Sequence, residues 1–416
     1  MHTSRSIELL APAGGWPHLR AAINAKADAV FFGAGHLNMR ARAKNFSLEE
    51  LSDVCELCHQ AGVKAYLTLN TIVYESELHE LENIISAAKN ANVDAVIAAD
   101  FAVISAAKAQ NLPVHASTQL SVSNSATLRM LMEMGIHRVV LARECSIDDL
   151  AQIRKHLGVD AQNISLEVFA HGAMCVAVSG RCFLSGFETG RSANRGDCCQ
   201  PCRREYDIQS NRGGEGFTLT ENHLLSPKDL CTLPFLEKLL DSGVASLKIE
   251  GRNRSPDYVH TVVTAYRNAL DFYQQNRQNE NFSTAFTHVK AQGIESLKKV
   301  YNRGFSEGFY MGKPLGDWRS PPGNQSSHKR DYIGQVIEMD SHAPRVIFRL
   351  ESSSLREKES IFFESPEIGY HAWQPIEMKQ ADQTVTHAEK GSTISLPKLP
   401  FMHKNLKMYR LQARKP

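Results

Sequence analysis

The chain has 416 residues, 42% of them hydrophobic, enough for one large core and a second, smaller unit. Lys and Arg number 47 against 45 Asp and Glu, so a net charge of +2 announces no polyanion partner, although a local basic patch would suffice for one. MHTSRSIELLAPAGG (1–15) lacks the apolar run of a signal peptide, and nothing approaches about 18 consecutive apolar residues; the expectation is a cytoplasmic protein that does not enter a membrane.

In chain order, strands are predicted at IELLAP (7–12), ADAVFFG (27–33), VKAYLTLN (63–70), DAVIAAD (94–100), PVHASTQ (113–119), RVVLARE (138–144), ISLEVFAHG (164–172) and SLKIEG (246–251). Helical patterns lie between most of them. Leu51, Val54, Cys55 and Cys58 share one helix face before Gly62, and similar patterns occupy 76–91, 101–110, 124–134, 147–157 and 256–275. Eight strands alternating with helices predict an α/β fold, a TIM-like (β/α)8 barrel over residues 1–320. An open doubly wound sheet is the alternative, weakened because no glycine fingerprint opens the first βα turn. A long interruption, about 173–245, separates the seventh and eighth strands. SPPGNQSSHKR (320–330) reads as a linker, and YIGQVIEM, RVIFRLES, ESIFFES, STISLP and LKMYRLQA predict a small antiparallel β-barrel over 331–416.

In such a barrel chemistry sits where strands end. Those ends present Asn70, Asp100, His115, Gln119, Arg143, Glu144, His171, Lys248, Glu250 and Arg252. Individually they fit rim ion pairs and helix caps; as a set they suggest a converging site. Arg143, Lys248 and Arg252 suit an anionic small molecule, with Asn70, His115 and Gln119 as further binding groups. Glu144 and Glu250 would orient those cations or transfer protons, and His171 is a candidate base.

The interruption holds five of nine cysteines within HGAMCVAVSGRCFLSGFETGRSANRGDCCQPCRR (171–204). In a reducing compartment such a cluster points to metal or catalysis rather than disulfides. Cys175-x6-Cys182 and Cys198-x3-Cys202 fit the paired short knuckles of zinc poorly, and iron–sulfur is favoured because its four cysteines tolerate varied spacing. Arg181, Arg191, Arg195, Arg203 and Arg204 would offset a cluster's negative charge, or are solvated loop charges, or phosphate contacts. Cys55, Cys58 and Cys145 read as core packing, and Cys231 as a fifth ligand candidate. A Cys175 nucleophile paired with His171 leaves the other thiols unexplained.

Glu167 to Ser185 resembles the signature ExFxHGAMCxxxSGRCxLS of the U32 collagenase-like peptidase family. GRSANRGDCCQPCR (190–203), HLLSPKDL (223–230), SLKIEGR (246–252), NRGFSEGFY (302–310), HASTQ (115–119) and VLARE (140–144) resemble further blocks, over about 7–312. The resemblance implies oxygen-independent hydroxylation of RNA, at a tRNA wobble uridine or a 23S rRNA cytidine, with prephenate, a small dicarboxylate, as co-substrate. It also implies a [4Fe–4S] cluster on Cys175, Cys182, Cys198 and Cys202, with Cys199 competing for the third place. One C-terminal β module resembles the tRNA-directed members, so tRNA is favoured over rRNA, and the module is expected to help hold RNA. Proteolysis, as the family name says, hydroxylation of a quinone precursor, and a non-catalytic iron–sulfur or RNA-binding role are the alternatives; no Ser-His-Asp pattern or HExxH helix supports the first.

Overall fold

A computed structural model describes residues 7–41, 44–206, 225–312, 323–340 and 343–414. Seven parallel strands follow in order: β1 (Glu8–Pro12), β2 (Ala29–Phe32), β3 (Lys64–Leu69), β4 (Ala95–Ala98), β5 (Val114–Ala116), β6 (Arg138–Val140) and β7 (Ser165–Gly172). After β8 (Asp229–Cys231), β9 (Ser246–Ile249) closes the ring, pairing in parallel with β7 (Val168↔Leu247) and with β1 (Leu9↔Leu247). The eight predicted barrel strands are all present and the open sheet is excluded.

Alternation with period 2 sorts the side chains. Leu10, Ala29, Phe31, Tyr66, Ala95 and Ile97 pack inside the barrel, while Leu9, Val30, Phe32, Leu67 and Val96 join the larger core under the helices. That outer layer is α1 (Trp16–Asn24), α2 (Leu51–Gln60), α3 (Leu78–Asn90), α4 (Phe101–Ala109), α5 (Ser125–Glu133) and α6 (Ile147–Leu157). The insertion carries α7 (Leu184–Thr189) and, beyond β8, α8 (Leu236–Asp241); α9 (Pro256–Asn276) and α10 (Phe282–Lys299) complete the layer. Among the described residues no helix is long and apolar enough to cross a membrane.

β7 outruns its neighbours. His171, still paired in parallel with Ile249 of β9, and Gly172 also pair antiparallel with Cys231 and Leu230 of β8, which pairs in turn with β10 (Phe305–Ser306). This ribbon anchors both ends of the cysteine-rich insertion to the barrel rim.

The C-terminal strands β11 (His328–Met339), β12 (Arg345–Leu350), β13 (Leu355–Arg356), β14 (Ile361–Ser365), β15 (Gly369–Trp373), β16 (Lys379–Gln380), β17 (Gln383–Thr384), β18 (His387–Ala388), β19 (Thr393–Pro397) and β20 (Lys407–Ala413) form an eight-stranded antiparallel sheet and a two-stranded ribbon. β14 and β12 stand three ladders apart, roughly 14 Å on a flat sheet. Yet the Phe348 and Phe363 rings are 6.0 Å apart, so the sheet curls around its own core. No ladder joins its outer strands β15 and β17 among the described residues, so the expected barrel is a curled sheet. β11 starts at His328, inside the stretch expected to be a linker; residues 320–322 of that stretch lie outside the described residues. The sheet leans on α1 and α9. Gly369 sits so close to α1 that a Cβ there would lie 2.5 Å from the Ala21 nitrogen, and Arg330 bridges Glu364 at 2.5 Å and Asp257 at 3.4 Å.

Candidate active site at the barrel mouth

Two adjoining cavities lie at the C-terminal end of the barrel. The first, about 50 Å³, is lined by the strand ends and β-α loops, including Phe31, Thr68, Asn70, Gln119, Arg143, Lys248 and Arg252. The second, about 170 Å³, is lined by Cys175, Cys182, Cys198 and Cys202 with Arg203, Arg254 and Arg303. Met39, Arg40, Cys175, Gly180 and Glu250 belong to both walls.

The deepest charges sit inside the barrel. Lys248 Nζ donates to Glu167 Oε1 at 3.0 Å, and Arg138 donates to Glu167 Oε2 at 2.7 Å and also pairs with Glu8. Burial works against the Glu167 carboxylate, but Lys248 and Arg138 outweigh it and hold its pKa at about 2. Burial pulls the Lys248 ammonium down, and the Glu167 carboxylate 3.0 Å away opposes it. Lys248 also lies over the Phe31 ring, 4.4 Å from its centroid.

Nearer the mouth, Glu250 accepts from Arg40 Nε at 3.2 Å, with the Arg40 Nη2 group at 3.1 Å. Burial again favours the neutral acid, but Arg40, Arg252 and Arg143 overcome it and hold Glu250 at about 2. Arg252 donates to Thr68 Oγ1 at 2.9 Å and to Asn38 Oδ1 at 3.3 Å. Arg143 donates to the Ala173 carbonyl at 2.8 Å and lies 3.8 Å over the Phe169 ring. The buried Nε groups of Arg143 and Arg252 find no acceptor among the described residues. Arg143 and Arg252 both line the small cavity, so their guanidinium groups give it a cationic wall. Asn70 donates to Ser117 Oγ at 3.2 Å and Gln119 Oε1 at 3.0 Å, which fixes the polar side of the pocket.

Several expected residues lie elsewhere. His115 and Lys248 are within β5 and β9 rather than at their ends; His115 packs edge-on against Tyr66 at 4.7 Å and lines neither cavity. His171 is buried among Tyr258, Tyr266 and Phe305 and also lines neither. Burial lowers both histidines to about 3, so each is neutral at pH 7. Glu144 spends both oxygens on Ser179, at 2.7 Å to the backbone nitrogen and 2.8 Å to Oγ. It holds Ser179 in a left-handed backbone conformation (φ 45°) beside Gly180, which makes it a loop-positioning group. Asp100 caps α4 and accepts from Val73. Asn70, Gln119, Arg143, Lys248, Glu250 and Arg252 are brought together as expected; the histidines and Glu144 are not.

Arg40 and Asn38 escaped sequence reasoning because they lie in the long β2–α2 loop, beyond the predicted strand end at 33. The signal was the density of Arg and Asn in LNMRARAKNF (37–46). That loop is also the dock for the insertion. Gly196 (φ 79°) approaches it so closely that a Cβ would stand 2.1 Å from the Asn38 oxygen.

The thiols divide cleanly. Cys198 lines the cavity with Cys175, Cys182 and Cys202; Cys199 does not, and its Sγ receives the Thr189 hydroxyl at 3.6 Å. Burial pushes the Cys198 and Cys202 thiols up, the neighbouring thiols push further, and Arg40 and Arg203 oppose this at Cys198 and Cys202 respectively. Arg203 ties both ends of the insertion together, donating to the carbonyls of Met174 at 2.5 Å and Pro227 at 2.7 Å. Among the described residues no three His, Cys, Asp or Glu side chains converge as they would on a single metal ion. Cys175, Cys182, Cys198 and Cys202 all line the second cavity and are the residues that would hold a metal group there. Cys55, Cys58 and Cys145 are buried packing residues with thiols raised to about 12, and Cys231, raised to about 11, faces Tyr266 instead of the cavity.

The chain is 38% identical to a collagenase of Porphyromonas gingivalis over 414 residues, 98% of each chain. It is 35% identical over 367 residues to tRNA hydroxylation protein P1 of Bacillus subtilis, covering 87% of this chain and 84% of that one. It is 35% identical over 321 residues to a 23S rRNA 5-hydroxycytidine synthase of Escherichia coli, covering 77% of this chain and 48% of that one. The profile of Peptidase family U32 matches residues 14–320, which takes in the barrel after β1, the residues lining both cavities and all four cavity cysteines, and the protein belongs to that family.

Proposed function

We propose that the protein is an RNA-modifying hydroxylase whose thiol cavity holds a [4Fe–4S] cluster on Cys175, Cys182, Cys198 and Cys202. The observation that carries this reading is the shared wall: four cysteines surround one cavity, and Arg40, Cys175 and Glu250 separate it from a cationic pocket. A bound cluster would supply electron transfer at that wall. The names of the tRNA- and rRNA-directed relatives support an RNA substrate. The tRNA wobble uridine is the favoured target and an rRNA cytidine the other.

Prephenate is the proposed co-substrate. Arg143 and Arg252, which line the barrel-mouth cavity, would take its carboxylates. The barrel-mouth cavity alone, at about 50 Å³, has room for one or two waters. The dicarboxylate would therefore part Arg40 from Glu250 and reach into the thiol cavity, exchanging one carboxylate for another on Arg40. A target base must leave its stack to approach this mouth, which favours a single-stranded loop.

The test is nucleoside mass spectrometry of total tRNA and rRNA from a deletion strain, with and without the gene restored. Loss and recovery of one hydroxylated nucleoside is the expected result. Unchanged nucleosides in both RNA pools would contradict it. The collagenase relative favours a second reading, peptide hydrolysis. That chemistry needs a nucleophile with a paired base, or a metal-bound water, and no histidine lines either cavity among the described residues. Gelatin cleavage by the pure protein, with unchanged nucleosides, would favour it nonetheless.

A further inference from the structure

Among the described residues, four Phe and Tyr side chains are more than half exposed: Tyr74 (56%), Phe101 (55%), Phe183 (70%) and Phe187 (87%). All four lie at one end of the barrel. Tyr74 is in the loop after β3, Phe101 opens α4 directly after β4, and Phe183 and Phe187 belong to the insertion after β7. The opposite end of the barrel and the curled sheet expose none to this degree among the described residues. Phenyl rings normally go inside; these stand exposed on segments that follow the barrel strands.

Phe183 and Phe187 stand one helical turn apart, with centroids 6.0 Å apart and planes at 42°. Phe183 directly follows Cys182, a wall residue of the thiol cavity, so the pair sits on that cavity's lip. The surroundings are cationic. Residues 173–206 contain five arginines against three acids, 5 − 3 = +2, which matches the +2 of the entire chain. Arg181 is exposed and donates to Ser121 Oγ at 2.9 Å, and exposed Arg191 is aligned by Asp197 at 2.8 Å. Across the mouth, Arg195 lies 4.9 Å over the Tyr74 ring. Bare rings interleaved with guanidinium groups match a chain of flat bases on an anionic backbone, because any base can stack on a ring and its phosphate can meet an arginine.

We propose that Phe183 and Phe187 are a stacking platform for unpaired bases of an RNA loop, with Arg181 receiving its phosphates. This rests on the RNA reading above and adds where the RNA is held: the loop rests on the insertion, next to the thiol cavity, before the target base enters the mouth. The platform tolerates any base, so it supplies affinity and orientation rather than sequence choice.

The test uses full-length protein and tRNA purified from the deletion strain. The F183S/F187S protein is compared with wild type and with F183Y/F187Y, by filter binding at two salt concentrations. Wild type is expected to bind, the Ser variant to bind about tenfold more weakly or worse, and the Tyr variant to stay within about twofold of wild type. The Ser variant should keep the wild-type dependence on salt, because its phosphate contacts remain. Its iron content and thermal midpoint should also be unchanged, since both rings face solvent. Wild-type affinity in the Ser variant overturns the platform while leaving the RNA reading intact. Weaker binding accompanied by lost iron or a lowered midpoint assigns the rings a structural role and also overturns it. If wild type binds neither tRNA nor rRNA fragments, or if gelatin displaces bound RNA through the same two rings, the RNA reading falls and the platform with it.

Discussion

Arg40 and Glu250 meet at 3.1 Å on the wall between the thiol cavity and the barrel mouth. Arg40 comes from the β2–α2 loop and Glu250 from the residue after β9, so the pair joins two distant parts of the chain across the site. Each is largely out of water, and Glu250 has Arg252 and Arg143 behind it. The pair therefore separates the compartments and sets their charge.

Replacing Arg40 by Met removes the nearest cation from a buried carboxylate. A broken buried pair costs about 3–5 kcal/mol; because Arg252 and Arg143 remain, about 2–3 kcal/mol is expected here. Urea denaturation should show a lower midpoint with an unchanged slope. The hydroxylated nucleoside should fall at least tenfold in a strain carrying only the variant. A variant of wild-type stability would mean that Glu250 is held by the other two arginines alone.

Acid should unfold the protein in two stages. Glu167 and Glu250 have folded pKa values near 2 against an unfolded value of 4.5, so their contribution is complete above pH 4.5 and is lost as pH falls toward 2. His115 and His171 are near 3 against an unfolded 6.5; below 6.5 the unfolded chain takes up protons that the folded one refuses, so stability declines from there. The decline should begin below pH 6.5 and steepen below 4.5. Histidine 171 is exchangeable for another ring among Tyr258, Tyr266 and Phe305. His171→Phe should reduce the slope of stability between pH 5 and 6 by up to about 1.4 kcal/mol per pH unit. An unaltered slope in a pH series of urea melts would show that His171 ionises in the fold.

Gly196→Ala should loosen the insertion. The position has φ 79° and its Cβ would meet the Asn38 oxygen at 2.1 Å and the Ala41 nitrogen at 2.8 Å, both backbone atoms that cannot swing aside. Strain and displacement together should cost more than about 1 kcal/mol. The cost falls on docking of the insertion, so limited proteolysis within 173–206 should accelerate while the barrel survives. Equal cleavage rates would show that this approach is not needed for docking.

The barrel was legible because parallel strands buried on both faces spell short apolar runs, and all eight runs became strands. The predicted strands overran at their C-terminal ends: Asp100, Gln119, Arg143 and Glu144 have already left the sheet for the mouth loops. Those same ends supplied Asn70, Gln119, Arg143, Glu250 and Arg252, so the cationic pocket was readable too. His115 and His171 line neither cavity, and polarity alone did not reveal that: His171 is buried, and His115 lies within β5 against Tyr66. Helix α10 was missed because FSTAFTHVKAQGIESLKK buries little beyond Phe286, Lys290 and Leu297, too few for a clear period. The choice between Cys198 and Cys199 required coordinates, since adjacent residues point in different directions and only position shows which one faces the cavity.

That choice is testable. Cys198→Ser should lose iron as Cys175→Ser, Cys182→Ser and Cys202→Ser do, whereas Cys199→Ser should keep it, because its sulfur meets Thr189 outside the cavity. Iron retained by the Cys198 variant and lost by the Cys199 variant would reverse the assignment.

The most direct measurement is iron and acid-labile sulfide in protein purified without oxygen. The account predicts a brown protein with about four irons and four sulfides per chain, falling to near zero in the Cys182→Ser variant. A colourless, iron-free preparation that restores the hydroxylated nucleoside in full would contradict it.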